Sequence, residues 1–199
     1  MLLIGFTGKA GSGKDTAASM LLEDMTGYRR AFADPLKRAA REIFLLTHDQ
    51  MNDPVLKEQP IPFWNDLSPR KILQLFGTEG MRHVFGGDVW TKRAALDLQS
   101  LISQQRYESI PYELVVYTDC RFDNEAKWVR ENGGLVIEIQ RPDCFEVGIG
   151  GHQSEQGPNP DLINISLVNA GTLDDLRESI REVIDADIRP LLRRSKLVA

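Results

Sequence analysis

The sequence predicts an α/β fold: a five-stranded parallel sheet with helices on both faces. Three observations predict it. Short apolar runs of the kind buried on both sides recur at residues 2–7, 113–118 and 135–139. Segments with helical apolar spacing separate them. The first run ends in a glycine-rich turn that opens directly into a helix, as in a parallel-strand unit.

Taken in order, Leu2 to Thr7 reads as a buried strand. Residues 14–25 carry Ala17, Met20, Leu21 and Leu22 at helical spacing, with Gly27 as a stop. Residues 29–33 form a weak second strand. Asp34-Pro35 starts a helix with Leu36, Ala39, Ala40, Ile43 and Phe44 inward, because proline fits the first turn. Three prolines make residues 54–62 a loop, and Ser68-Pro69 starts a helix carrying Ile72, Leu73, Leu75 and Phe76. Gly86-Gly87 interrupts, and residues 88–106 resume as helix. A central strand at 114–118, a helix near 124–131, the Gly133-Gly134 turn and a strand at 135–139 follow. Residues 149–160 read as a long loop and 162–168 as the last strand. Thr172 with Asp175 is a capping box for a final helix carrying Leu173, Leu176, Ile180, Val183 and Ile184.

With 199 residues, one domain with a sizeable core is expected. A net charge of −5 lacks the basic footprint of a nucleic-acid binder, so no nucleic-acid partner is expected. No apolar run approaches membrane-spanning length, and the apolar start is too short for a signal segment. Cys120 and Cys144 make no disulfide framework, which points to a reducing cytoplasm.

The turn after the first strand is Gly8-Lys9-Ala10-Gly11-Ser12-Gly13-Lys14-Asp15-Thr16. Glycines let such a loop curl so that backbone N–H groups face phosphate oxygens, and the following helix adds its positive end. Gly11, Ser12, Gly13, Lys14, Asp15 and Thr16 are therefore the nucleotide-binding set, with Lys14 spanning the β- and γ-phosphates. The usual pattern puts Ser or Thr directly after the lysine to hold Mg²⁺; here Asp15 stands there. Asp15 either serves the metal or faces the acceptor, and the sequence leaves both open. Asp119, ending the central strand, is placed for a second magnesium-site carboxylate, and Arg121 beside it suits a phosphate clamp. Asn169 and Gly171, in the loop after the last strand, are candidates for backbone contacts to adenine.

Five separated segments carry a resemblance. They are residues 8–16, Phe32-Ala33-Asp34-Pro35-Leu36-Lys37, Leu75-Phe76-Gly77-Thr78-Glu79 with Arg82, Asp119-Cys120-Arg121-Phe122-Asp123-Asn124-Glu125, and His152-Gln153-Ser154-Glu155. Together these are similar to the phage-type deoxynucleoside monophosphate kinases, which also carry a Gly-Lys-Asp-Thr loop. The resemblance implies a P-loop kinase fold with a core (about 1–35, 110–140 and 161–199), a helical acceptor-binding region (about 36–109) and a lid (about 141–160). It implies transfer of a phosphoryl group from ATP, with Mg²⁺, to a deoxynucleoside monophosphate. A homodimer is left open, and a phage-encoded chain would work in the host cytoplasm.

The resemblance places the acceptor phosphate among Lys37, Arg38, Arg41, Arg70 and Arg82, with Lys37 and Arg82 favoured, and makes Asp34 part of the site. Phe32, Trp64, Phe76 and Trp90 are stacking candidates, Gln74 a reader of a base edge, and Thr78 and Asp88 sugar or phosphate contacts. Two departures stand out: Cys120 replaces a small aliphatic residue, and residues 145–160 hold no arginine, leaving Arg141 as the nearest lid cation. His152, Ser154 and Glu155 form no convincing nucleophile–base pair, and no Cys/His spacing suggests zinc. Kinases of other metabolites, such as those acting on dephospho-coenzyme A, and a non-catalytic ATP-binding switch remain as alternatives. The absence of an Asn-Lys-x-Asp signature counts against a GTPase.

Overall fold

Alternating apolar runs and helices build one sheet. The computed structural model describes residues 1–105, 107, 111–142 and 155–197. Among these, β1 (Leu2–Thr7), β2 (Gly27–Arg30), β3 (Leu114–Tyr117), β4 (Leu135–Gln140) and β5 (Ile165–Val168) pair in the order β2-β3-β1-β4-β5. Every neighbouring pair is parallel. All of β1 and β3 is buried, as their unbroken apolar sequences require.

The twofold alternation of strand side chains gives the sheet two apolar faces. Leu2, Ile4, Phe6, Leu114, Val116, Ile137 and Ile139 pack with Ala17, Met20 and Leu21 of α1 (Lys14–Asp24). Leu176, Ile180 and Val183 of α8 (Leu173–Val183) join the same cluster. The opposite face is covered by α7 (Asp123–Glu131), whose Val129 is the nearest neighbour of Gly5 and whose Trp128 meets Tyr117 edge-on at 5.5 Å. Helices therefore lie on both faces. Thr172 and Asp175 close the expected capping box, each side chain accepting the other's backbone N–H.

The second strand lies at Gly27–Arg30 rather than at residues 29–33. It is an edge strand paired only with β3, so it lacks the two-sided apolar run that marks a central strand. Phe32, inside the expected range, is buried beyond the strand's end. The last strand is likewise shorter than expected, because Pro160–Leu162 winds into a 3₁₀ turn.

The chain divides into two units: Met1–Ala31 with Ala94–Ala199, and Phe32–Arg93. The first holds the sheet. The second is helical, with α2 (Asp34–Phe44), α3 (His48–Asn52), α4 (Pro69–Gln74), α5 (His83–Phe85) and the start of α6 (Val89–Gln105). Its core clusters Ala40, Leu46, Met51 and Ile72, with Phe44, Trp64 and Phe76 packed against them. Between α4 and α5 the backbone widens into a π-helical stretch, Leu75–Arg82. Helical spacing predicted the apolar residues here but not the wider turn. No helix among the described residues is long and apolar enough to cross a membrane.

Candidate active site

The turn after β1 has the shape its glycines permit. Gly8 sits at φ 136° with its Cα facing the Ile139 carbonyl oxygen, which a Cβ would strike. Gly13 sits at φ 97° as the N-cap of α1, and a Cβ there would lie 2.5 Å from the Asn169 amide nitrogen. Both positions exclude side chains for conformational and steric reasons together. Asn169 Nδ2 donates to the Ser12 carbonyl at 2.9 Å, so the loop after β5 clamps the phosphate loop from behind. This gives Asn169 a bracing contact to the loop. Gly171 lies against the Asp175 carboxylate at the start of α8.

Two polar groups inside the loop are buried. Ser12 Oγ is buried and finds no hydrogen-bond partner among the described residues. Such an orphan costs free energy until something accepts or donates to it. The Lys14 ammonium is also buried, with a 3.4 Å contact to the Lys9 carbonyl. Burial lowers its pKa from the ordinary lysine value, and the Arg121 guanidinium lowers it further. The carboxylates of Asp15, Asp119 and Glu155 act in the opposite direction. Lys14, Asp15, Asp119 and Arg121, predicted separately, are thus brought into one electrostatic neighbourhood.

Arg121 is set by α7. The Glu125 carboxylate, only 2% exposed, accepts the backbone N–H groups of Arg121 at 2.8 Å and Phe122 at 3.1 Å. The Arg121 side chain turns to Glu155 at 3.8 Å. Glu155 belongs to a segment held on the first unit by the Asn159 N–H donating to Asp123 and by Arg130 donating to the Asp161 carbonyl. His152, Gln153 and Ser154, with the rest of residues 143–154 of the expected lid, lie outside the described residues, as does Cys144. Arg141 is exposed. Cys120 is a buried thiol, its pKa pushed well up by burial.

Asp15 takes a partner that sequence reasoning missed. Its carboxylate receives Arg29 Nη2 at 2.6 Å, from β2, while Thr16 is exposed. Among the described residues no group of three or more His, Cys, Asp or Glu is placed to hold a metal. Asp119 is intermediate in exposure.

The acceptor-side candidates sit in the second unit. Lys37 Nζ donates to Asn52 Oδ1 at 2.6 Å, and Asp34 opens α2. The Arg82 side chain is buried and donates to the Gly87 carbonyl at 2.6 Å, bracing the turn before Asp88. Asp88 is exposed, its pKa lowered chiefly by the hydrogen bond from Lys92. Thr78 is buried in the π-helical stretch, and Gln74 ends α4. Trp90 is buried with its indole N–H donating to the Gly77 carbonyl at 3.2 Å, and Phe76 meets Phe44 edge-on at 5.6 Å. Trp90 is thereby a core ring, while Phe76 is half-buried and packs against the edge of the second unit's cluster.

The model of the deoxynucleotide monophosphate kinase family matches residues 47–180, a stretch that begins beyond the phosphate loop. A putative deoxynucleotide monophosphate kinase of Acanthamoeba polyphaga mimivirus is 36% identical, over 93% of this chain and 97% of its own. A deoxynucleoside-5′-monophosphate kinase of Escherichia phage T5 is 24% identical, over 96% and 99% respectively. Among solved structures, TT1252 from Thermus thermophilus has a similar fold, with a TM-score of 0.50 at 18% identity over 94% of this chain and 97% of that one.

Proposed function

The chain belongs to the deoxynucleotide monophosphate kinase family, and we propose that it transfers the γ-phosphoryl group of ATP to a deoxynucleoside 5′-monophosphate, giving ADP and the diphosphate. The observation that carries this reading is the loop at residues 8–16, where a buried ammonium and a buried, unpartnered hydroxyl line one glycine curl. A polyphosphate supplies what both groups lack. Its oxygens accept from Ser12 Oγ and from the backbone N–H groups, and its charge offsets the desolvation of Lys14.

Phosphoryl transfer asks a protein for positioning and charge stabilisation rather than covalent chemistry. Lys14 holds the β- and γ-phosphates. Arg121, with its backbone fixed by Glu125, presents a planar guanidinium to phosphoryl oxygens in place of the Glu155 carboxylate. Asp119 fits magnesium, which takes one or two carboxylates beside phosphate oxygens, and the ion would neutralise charge gathering on the leaving ADP. Asp15 would reach a metal only by releasing Arg29, which engages its carboxylate. For the acceptor, we assign phosphate binding to Lys37 and base or sugar contacts to Gln74 and Thr78. Asp88 and Arg82 shape the turn beside them. We place the reaction in a reducing cytoplasm, in which Cys120 stays a thiol.

A coupled ADP-release assay with MgATP and each deoxynucleoside monophosphate tests the reading. Turnover dependent on at least one acceptor is expected. Acceptor-independent ATP hydrolysis alone, or turnover only with other metabolites, overturns it.

A further inference from the structure

Asp15 sets a problem that the phosphate loop alone does not solve. It places a carboxylate in the first turn of α1, directly after the lysine that would meet the triphosphate. A helix N-terminus tolerates that charge by itself, but a polyanion arriving beside it meets repulsion.

Arg29 answers the charge. Its Nη2 donates to Asp15 Oδ1 at 2.6 Å, and its Nη1 donates to Ser19 Oγ at 3.2 Å. The Ser19 hydroxyl in turn donates to the Asp15 backbone carbonyl at 3.0 Å. One guanidinium is thus fixed at two points, on the side chain of Asp15 and on a hydroxyl anchored one helical turn on. It reaches there from β2, an edge strand, across to the start of α1. The pair is open to water, with side chains 46% and 64% exposed, so its direct contribution to stability is small. A geometry this specific with so little to offer the fold points to the neighbouring loop.

We propose that Arg29 is a positioning residue, which holds the Asp15 carboxylate neutralised and turned off the anion site so that ATP binds the loop without meeting a second negative charge. The proposal rests on the reading of residues 8–16 as an ATP site.

Four proteins test it: the wild type, Arg29→Gln, Arg29→Lys and the double variant Arg29→Gln with Asp15→Asn. Each is measured for KM and kcat with MgATP at saturating acceptor, and for binding of a fluorescent ATP analogue without acceptor, at low and high salt. For Arg29→Gln the KM for MgATP rises on the order of fivefold, the size of one like-charge contact at about 4 Å in a water-like dielectric, with the change falling on KM rather than kcat. The rise shrinks at high salt. Arg29→Lys recovers part of the affinity, and the double variant recovers most of it, because the charge to be neutralised is gone. An unchanged Arg29→Gln overturns the proposal, as does a penalty that persists undiminished in the double variant. So does a rise confined to the KM of the acceptor. If the wild type binds the analogue and all variants match it, the ATP site stands and the role of Arg29 falls. If the wild type does not bind, both fall.

Discussion

The two units of this chain prepare for ligands in opposite ways. In the first, a glycine loop is braced by the central strand and clamped by Asn169, and its core residues are almost wholly removed from water. In the second, the candidate acceptor residues ride on short helices around a small cluster of Ala40, Leu46, Met51 and Ile72, with a π-helical stretch in the middle. Lys37, Arg82 and Asp88 already have protein partners there. Widened helical turns of this kind recur at functional sites. On the proposed reading the donor loop is preset, while the acceptor side exchanges internal contacts for ligand contacts.

Lys14→Met gives the largest effect and tests the rigid half of that contrast. Steady-state kinetics should show turnover reduced by about 10²–10³-fold, since charge stabilisation in the transition state is lost. A thermal melt should show no loss of stability, because the variant removes a desolvated charge. A large drop in melting temperature would mean that Lys14 supports the fold and that the loop is not preset for function.

Ile4→Ala and Ile72→Ala compare the two cores directly. The first opens the center of the sheet and should cost about 2–5 kcal/mol in denaturant unfolding. The second, in a small cluster free to relax, should fall at the low end of that range, and hydrogen exchange should report its loosening mainly within residues 32–93. Equal global destabilisation by both would show a single cooperative unit and remove the contrast.

Asn169→Ala should act more weakly. It leaves the Ser12 carbonyl without its partner, a cost of about 1–3 kcal/mol, and should appear as a raised KM for MgATP with the acceptor KM unchanged. The smallest effect is a pH dependence. The pKa of Lys14 is lowered on folding, so between its folded value and the ordinary lysine value of 10.5 the unfolded chain binds more protons. Its contribution to stability therefore rises with pH through that window. The increment should be missing in Lys14→Met, and ATP should suppress it by restoring the charged form.

How far the sequence foretold these features depends on whether a local pattern encodes them. The phosphate loop was legible because glycine spacing, a preceding apolar strand and a following helix are all local. The capping box at Thr172 and Asp175 was legible for the same reason. The short helix at His48–Asn52 was not delimited although Thr47 and Gln50 form a capping box, its signal hidden by shortness. The packing of Phe76 on Phe44 and the indole bond of Trp90 to Gly77 were not legible, because sequence shows an aromatic ring but not what covers it. The pairing of Arg29 with Asp15 spans fourteen positions and a strand crossing, and no periodicity announces it. Glu125 stood inside a recognised segment, yet its burial under two backbone N–H groups follows only from the turn that α7 makes.

The strand order also governs how the chain must be made. β1 lies between β3 and β4, so its two hydrogen-bonding edges stay open until residues 114–117 and then 135–140 have been synthesised. The loop it leads into gains its rear clamp only with Asn169. At ordinary translation rates of about 5–20 residues per second, that interval lasts on the order of 10–30 s. For the first part of it, until residues 114–117 are made, a strongly apolar strand waits without neighbours, exposed to mispairing and to chaperones. The glycine loop is therefore completed by Asn169, synthesised 157 positions after the Ser12 that it braces.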